Sequence, residues 1–212
     1  MRFFTIIVAH VFYQQVTVYS MVFFIKRTKL DVNEEIKMLN IRKAKCDDID
    51  IVLDLYKDLI DKIKNNKFTP EWEYGIYPRE EYIIDLIKSN EVYVGEIDSE
   101  IVSSIVINHK PNPGYENIKW NTDLENENVY YIHLVAVNPS HKRKGIGKEM
   151  LNFSFNQAKE NSVKSIRLSV VKNNLPAENL YKKFDFEHID SIEVYDKYRG
   201  LKHFKVFEKV LN

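Results

Sequence analysis

The stretch from Val135 to Lys148 constrains this chain more than any other, because it joins a β-branched segment, an Asn-Pro turn and a basic loop with two glycines. Gly145 and Gly147 let the backbone turn sharply and approach a ligand closely. A helix that begins at such a loop presents unpaired N–H groups and the positive end of its dipole. Four cations surround the same point: Lys142, Arg143, Lys144 and Lys148. The stretch therefore predicts a strand, a loop and a helix that bind a phosphate or pyrophosphate group.

The glycine spacing separates this loop from two other phosphate-binding motifs. A dinucleotide fingerprint requires three glycines, and a Walker loop requires a Lys-Ser or Lys-Thr pair after its last glycine. Neither pattern is present between Val135 and Lys148. A basic surface turn that binds no ligand is the alternative, and the loop by itself does not decide between the two.

Several positions after the loop extend the pattern. They are Asn174, Ala177, Leu180, Tyr181 and Phe186. Together with the glycine loop they resemble the GNAT superfamily of N-acetyltransferases, whose pyrophosphate loop reads Arg/Gln-x-x-Gly-x-Gly/Ala. In this chain the first position is Lys142, which departs from the motif but keeps its positive charge, and the Gly-Ile-Gly core matches. The resemblance begins near Ile41 and implies acetyl-CoA as the co-substrate.

The distribution of apolar residues predicts the order β-α-α-β-β-β-α-β-α-β-β, which is the GNAT order. Strands are expected at 41–44, 91–97, 100–108, 129–137, 165–171, 186–194 and 203–211. Helices are expected after Asp47-Asp48, over 79–89, from the glycine loop to about 161, and over 174–184. Through the resemblance, the expected fold class is α/β: a mixed, mostly antiparallel GNAT-type sheet flanked by helices, in a single domain over 41–212.

Residues 3–25 contain no charged side chain and are long enough to cross a bilayer. Polar side chains, including His10 and Gln14, interrupt the apolar surface, and no small-residue cleavage site indicates a signal peptide. We therefore interpret residues 1–40 as an N-terminal extension of unknown role. A membrane anchor at residues 3–25 is the alternative, in which the basic residues that follow would keep the rest of the chain cytoplasmic.

Charge and cysteine content narrow the functional classes. Thirty-one basic and 31 acidic residues cancel, so no global field attracts nucleic acid or anionic lipid, and the basic loop has no second basic stripe beside it. The single cysteine, Cys46, excludes an internal disulfide and is compatible with a reducing compartment, so we expect a cytoplasmic protein. Six scattered histidines and one cysteine form no metal motif, and no metal is expected.

The resemblance assigns cofactor contacts to the strand and the loop. It implies that backbone groups of Val135 and Val137 face the pantetheine arm, while the basic loop surrounds the pyrophosphate. The expected cofactor-binding residues are Val135, Val137, Lys142, Arg143, Lys144, Gly145, Ile146, Gly147, Lys148 and Asn174. In the family the two central strands also diverge beside the cofactor, which leaves backbone amides free to stabilise an oxyanion.

Tyr181 is the expected general acid, because the motif Asn-x-x-Ala-x-x-Leu-Tyr places it where the family often carries a hydroxyl near the CoA sulfur. A phenol with a pKa of about 10 can donate a proton to a developing thiolate without being ionised at rest. A tyrosine packed beneath its helix is the structural alternative.

The general base is less determined by the sequence. Many relatives carry an acid in strand 165–171, where this chain has Ser169. His133 is the best candidate, because imidazole titrates near neutrality. The alternatives are a histidine satisfied by a core hydrogen bond, a water-mediated route and an amine that is already neutral.

Loop residues are expected to select the acceptor, since loops over a fixed cofactor groove carry specificity. They are Trp72, Tyr74, Tyr77, His109, Tyr115, Trp120 and the loop 195–199. Asp123, Glu125 and Glu127 could attract a cationic amine, although such a run is more often a solvated loop.

These observations predict an N-acetyltransferase that moves the acetyl group from acetyl-CoA to a primary amine of a small molecule or peptide, by direct attack in a ternary complex. The alternative is a GNAT-fold acyl-CoA-binding regulatory module without turnover, which the departures at Lys142 and Ser169 favour. A homodimer is compatible with the sequence, and no nucleic-acid partner is expected.

Overall fold

The computed structural model describes residues 38–66 and 69–211. Its strands are β1 Asn40–Lys43, β2 Val92–Ile97, β3 Glu100–Asn108, β4 Val129–Val137, β5 Ser165–Val171, β6 Glu187–Asp196 and β7 Gly200–Val210. Its helices are α1 Ile49–Ile63, α2 Glu80–Lys88, α3 Ile146–Glu160 and α4 Leu175–Lys182. The seven strands form one sheet in the order β1-β2-β3-β4-β5-β7-β6, in which β4 and β5 are parallel and the other pairs are antiparallel.

The predicted fold class is confirmed, since helices flank a mixed, mostly antiparallel sheet and follow one another in the expected order. The β2–β3 hairpin turns at Asp98 and Ser99, whose positive φ angles are those of a type I′ turn. The last hairpin is longer than predicted, because β6 and β7 pair as far as Asp196 opposite Gly200. The polar run before Gly200 suggests a longer loop, but this glycine has a φ of 69° and begins β7 directly.

The residue before α1 forms an ion pair with β1 instead of capping the helix. Asp48 precedes α1, but its carboxylate does not cap that helix. It accepts instead from the Lys45 N–H at 2.7 Å and from the Arg42 guanidinium at 2.6 Å. The ion pair therefore joins the start of α1 to β1.

Both faces of the sheet are covered by helices. One apolar cluster contains residues of α3 and α4, and a second contains residues of α1 and α2. Strand β4 contributes to both: Tyr130 and Ile132 lie in the first cluster, whereas Leu134 and Ala136 lie in the second. Alternate residues of a regular strand stay on one face of the sheet. The change of face therefore requires an extra residue in β4.

That extra residue lies at Leu134, whose φ is 49°. The β3–β4 register shifts there, because Val106 pairs with His133 but Ser104 pairs with Ala136. Two residues of β4 thus oppose one of β3, which is the pattern of a β-bulge. Tyr56 from α1 holds the bulge, since its hydroxyl donates to the Leu134 carbonyl at 2.7 Å.

Strands β4 and β5 separate at the bulge. Their parallel pairing runs from Val129 opposite Ser165 to Ile132 opposite Leu168 and then stops. Within the described part of the chain, residues 133–137 of β4 have no ladder partner on β5. The sheet therefore opens between its two central strands, immediately before the glycine loop.

A buried ion pair fastens the loop between β3 and β4 to the sheet. Arg167 Nε lies 2.9 Å from Glu208 Oε1, and these side chains are only 4% and 0% exposed. From the loop, the Thr122 hydroxyl donates to Glu208 at 2.7 Å, and the Trp120 ring centre lies 4.4 Å from the Arg167 guanidinium. Burial by itself raises the pKa of Glu208, but hydrogen bonds from Thr122, Ser165 and Arg167 together hold it below its usual range. The carboxylate is therefore ionised at neutral pH.

Two further properties concern residues 38–66 and 69–211 alone. No group of three His, Cys, Asp or Glu side chains could hold a metal ion, and no helix is long and apolar enough to cross a membrane. The segment 3–25 lies outside these residues, as does most of the predicted extension 1–40. The domain boundary at residue 41 therefore stays a prediction.

Replacing Arg167 by methionine should destabilise the protein strongly, because Glu208 would remain buried without its cation. We expect a loss of about 3–5 kcal/mol in the free energy of unfolding, measured by urea denaturation. Lys64→Met is the matched control, since Lys64 pairs with Asp61 at the surface and should cost less than about 1 kcal/mol. Equal losses in the two variants would show that Glu208 does not depend on Arg167 for compensation of its buried charge.

Candidate active site

The opening between β4 and β5 leads into a cleft of about 900 Å³. The glycine loop lines it through Lys142, Arg143 and Gly147, and α4 lines it through Tyr181. Aromatic residues from the α1–α2 connection and from the β6–β7 hairpin line it as well. The cleft therefore joins the predicted anion site to the predicted acceptor-selecting loops.

The glycine loop is shaped by its own hydrogen bonds. The Asn138 N–H donates to the Val102 carbonyl at 2.8 Å, and the Asn138 side chain accepts from the Ser140 N–H at 2.9 Å. Arg143 and Gly145 both have positive φ, and Gly145 is the N-cap of α3. The N–H groups at the first positions of a helix have no acceptor within the helix. The loop therefore ends at a helix N-terminus that can bind an anion.

The predicted cofactor residues divide into two groups. Those that line the cleft are Val135, Val137, Lys142, Arg143, Gly147 and Asn174. Lys144, Gly145 and Lys148 are exposed outside it, and Ile146 packs in the core with 4% exposure. Of Ile146, only the backbone N–H could serve a ligand. The Asn174 side chain accepts from the Ala177 N–H at 3.4 Å, so it also caps α4.

The two loop glycines should respond differently to alanine. Gly145 has a φ of 81° with open space where a methyl group would lie, so Gly145→Ala should cost about 1–2 kcal/mol through backbone strain alone. Gly147 lies inside α3, where an added Cβ would make an ordinary contact of 3.4 Å with Leu180. Gly147→Ala should be neutral or stabilise by up to about 1 kcal/mol. Thermal unfolding of both variants would test this, and an equal loss in both would be the opposite result.

His133 is hydrogen-bonded and also lines the cleft. Its Nε2 lies 3.2 Å from Asn108 Oδ1, while Asn108 Nδ2 donates to Glu91 at 2.7 Å. Because the carboxylate holds the amide nitrogen, Oδ1 faces His133 as an acceptor, and Nε2 therefore carries the proton. Burial lowers the pKa of His133 to about 4, so the imidazole is neutral at pH 7.

The pKa of His133 has a consequence for acid stability. In the unfolded chain the imidazole binds a proton near its ordinary pKa of 6.5, whereas in the folded protein it does so only near pH 4. His133 therefore does not lower the free energy of unfolding above about pH 6.5. Below that pH the unfolded chain gains a proton that the folded protein does not, so the free energy of unfolding falls as the pH falls toward 4. His133→Gln should therefore flatten the dependence of the urea midpoint on pH between 7 and 5. Identical slopes for both proteins would show that the folded protein protonates His133 freely.

Tyr181 lies where α4 meets the cleft and is 7% exposed. Its ring packs edge-on against Phe186, with centroids 5.7 Å apart. Burial raises the pKa of Tyr181 well above that of a free phenol, and Tyr115 nearby adds to the rise. Tyr181 is therefore protonated at neutral pH and has a proton to donate.

The predicted acceptor-selecting residues also divide. The cleft is lined by Trp72, Tyr77, Tyr115, Tyr195, Asp196 and Arg199. Tyr74 instead donates to Glu80 at the surface, His109 bonds the Val129 carbonyl at 2.8 Å, and Trp120 covers Arg167. The acidic run Asp123, Glu125 and Glu127 is exposed and lies outside the cleft lining, which agrees with a solvated loop.

Several lining residues carry no signal in the sequence. Leu59 and Ile63 belong to the apolar face of α1, and that face predicts only core packing. Asn112 Nδ2 donates a hydrogen bond to Ser169 Oγ at 3.3 Å, and both residues line the cleft. Their pairing depends on the path of the long loop, which local patterns do not define.

A sequence profile of the acetyltransferase (GNAT) family matches residues 57–186, which is more than half of the chain. The chain therefore belongs to the acetyltransferase (GNAT) family and is an acyltransferase. Acetyl-CoA is the acyl donor that this family implies.

Individual relatives agree with the family. The chain is 28% identical to an N-alpha-acetyltransferase of Sulfurisphaera tokodaii, over 75% of this chain and 86% of the relative. It is 27% identical to an N-alpha-acetyltransferase of Saccharolobus solfataricus, over 73% and 84%. A GNAT-family acetyltransferase structure from Streptococcus agalactiae superposes with a TM-score of 0.69 at 18% identity, covering 82% of this chain and 96% of that one. The structural likeness supports the fold.

Proposed function

We propose that this protein transfers the acetyl group of acetyl-CoA to a primary amine of a small molecule or peptide, by direct attack within a ternary complex. The observation that carries the proposal is the opening between β4 and β5, which leads from the glycine loop to Tyr181. Acetyl-CoA, when bound, supplies the thioester and its acyl carbon.

The residues along this opening fit such a donor. Lys142, Arg143 and the N–H groups at the start of α3 would hold the pyrophosphate, since cations and unpaired amides both favour phosphate oxygens. Val135 and Val137 line the cleft beyond Ile132, the last residue of β4 that pairs with β5. Their backbone groups on the β5 side are therefore available to the amides of a pantetheine arm.

The reaction requires donors aimed at the developing charges. Free N–H groups of β4 would stabilise the oxyanion, and Tyr181 would give its proton to the departing sulfur. His133 is neutral, but with its pKa lowered to about 4 it is a weak base, so water that lies between it and the amine is the better route for the amine proton. An amine that enters the buried cleft already neutral would need no base, because burial disfavours its charged form.

The relatives and the lining residues together favour a peptide α-amine among the possible acceptors. Two relatives are named N-alpha-acetyltransferases. The acceptor side of the cleft carries the apolar and aromatic side chains of Leu59, Ile63, Trp72 and Tyr77. Such a wall would bury an apolar side chain next to the amine.

Calorimetry with acetyl-CoA and thiol release with a panel of amines test the proposal. The panel contains benzylamine, spermidine, a tripeptide amide with a free α-amine, and the same peptide with an acetylated N-terminus. We expect binding of acetyl-CoA and thiol release with at least one free amine. The absence of binding at millimolar acetyl-CoA would contradict the proposal, and binding without thiol release would instead indicate a regulatory module.

Neutralising Lys142 and Arg143 together should weaken CoA binding by about 10-fold or more, because two charge-assisted contacts with phosphate are lost. Binding of a pantetheine fragment without phosphates should change little. Lys159→Ala with Lys164→Ala is the control, since it removes the same charge from exposed positions outside the cleft lining. Equal weakening of both ligands would mean that the loop acts through folding.

Tyr181→Phe should lower turnover by about 100-fold or more while the affinity for acetyl-CoA stays nearly unchanged, because the ring is kept and only the proton donor is removed. Tyr130→Phe is the control, since Tyr130 belongs to the same apolar cluster but does not line the cleft. Unchanged turnover in Tyr181→Phe would show that solvent protonates the sulfur. Loss of both affinity and melting temperature would make Tyr181 a structural residue.

A further inference from the structure

The last hairpin extends beyond the part of the sheet that supports it. Pairing between β5 and β7 ends at Val171 opposite Phe204, whereas β6 and β7 pair with each other as far as Asp196 opposite Gly200. The hairpin tip, residues 195–202, is thus a two-stranded ribbon. Such a ribbon is only marginally stable by itself. The hairpin tip therefore depends on another element for a fixed position.

Two cations of the hairpin tip contact the connection between α1 and α2. Lys202 Nζ donates to Glu71 Oε2 at 2.9 Å, and the Arg199 guanidinium lies 4.0 Å from the centre of the Tyr77 ring. Asp196 holds Arg199 in place by accepting a hydrogen bond of 2.9 Å within the turn. We call the Lys202–Glu71 and Arg199–Tyr77 contacts the strap. The strap joins distant segments, since the two residues of its ion pair are 131 positions apart.

The connection between α1 and α2 is itself anchored to the sheet. Glu73 and Tyr77 form an isolated bridge, with an N–H to carbonyl distance of 2.9 Å in each direction. Trp72 packs against Tyr56, with ring centroids 5.6 Å apart, and the Tyr56 hydroxyl holds the bulge in β4. The strap therefore passes this anchorage on to the hairpin tip.

Both segments that the strap joins also line the cleft. The lining residues that they contribute are Pro70, Trp72 and Tyr77 from the connection, and Tyr195, Asp196, Arg199 and Lys202 from the hairpin tip. Leu59 and Ile63, which belong to the acceptor side proposed above, line the same cleft. Because the strap holds two parts of the wall together, it sets the room that is left for the group that bears the amine.

We propose that the strap fixes the width of the acceptor end of the cleft, so that Glu71 and Lys202 determine the size of the amine that is accepted. This assignment rests on the proposed function. A small group next to the amine packs against walls that are held in place. A larger group requires the hairpin tip to move away from the connection, which costs the ion pair. Glu71 and Lys202 are therefore positioning residues, which act through Trp72 and Tyr77.

Lys202→Met tests the assignment, because it keeps most of the side-chain length and removes the ion pair. The amines are benzylamine with para-phenylbenzylamine, and two tripeptide amides that differ only in beginning with leucine or tryptophan. The side chains of Lys202 and Glu71 are 20% and 40% exposed, so solvent partly screens the pair. We expect the ratio of kcat/KM for the larger to the smaller amine to rise about 2- to 5-fold, with the KM for acetyl-CoA unchanged.

Lys209→Met is the matched control. Lys209 also lies on β7 and pairs with Asp185 at 3.5 Å, but it is not part of the cleft lining. Its loss should leave the ratio at the wild-type value. Glu71→Gln removes the other partner of the strap ion pair and should reproduce the shift, which keeps the test valid if Lys202→Met folds poorly.

Exchanging the two charges supplies a rescue that a general loss of stability would not give. Lys202→Glu alone places two carboxylates together and should raise the ratio further, whereas Lys202→Glu with Glu71→Lys should return it toward the wild-type value. An unchanged or lower ratio in well-folded Lys202→Met and Glu71→Gln would overturn the role of the strap alone, as would the absence of recovery in the double variant. No turnover by the wild-type protein with any amine would overturn the proposed function, and the assignment with it.

Discussion

The extra residue at Leu134 divides β4 into two parts. The part before it pairs with β5, and the part after it lines the cleft. Before Leu134, residues 129–132 pair with β5 and residues 131–133 pair with β3, and the side chains alternate as in any sheet. At Leu134 the left-handed backbone, held by the Tyr56 hydroxyl, shifts the register on β3 and coincides with the end of pairing on β5. A regular strand would keep its backbone groups in the ladder. The bulge therefore coincides with the opening of the sheet and with the unpaired β4 amides that the proposed acyl transfer would use.

The long β3–β4 loop depends on a second constraint, the buried pair of Arg167 and Glu208. A buried pair of charges gives little net stability, since the cost of removing both from water offsets their attraction. Its effect is on position: loop residues Thr122 and Trp120 both contact the pair, and the cleft-lining Tyr115 is carried on the same loop. A loop that is irregular in sequence thus becomes a fixed wall of the cleft.

The order of helices and strands and the position of the glycine loop could be predicted, because hydrophobic periodicity and turn residues specify them locally. The bulge could not, since Leu134 lies in an apolar run with no glycine or proline to mark it. His109 and Trp120 resemble Tyr115 as aromatic loop residues, yet only Tyr115 lines the cleft. Asn112 meets Ser169 from 57 positions away. Contacts of this kind depend on how the loop crosses the sheet, so no local pattern contains them.

The turn of the last hairpin limits how the wall of the cleft can change. Arg199 lies 4.0 Å from the centre of the Tyr77 ring and is anchored by Asp196 within its own turn. Two segments that are far apart in the chain therefore form one wall, joined by a cation and an aromatic face. A substitution that resizes one segment removes the support of the other. Diversification of such a site would proceed through coupled changes on both segments, and enzyme engineering here would gain most from libraries that vary them together.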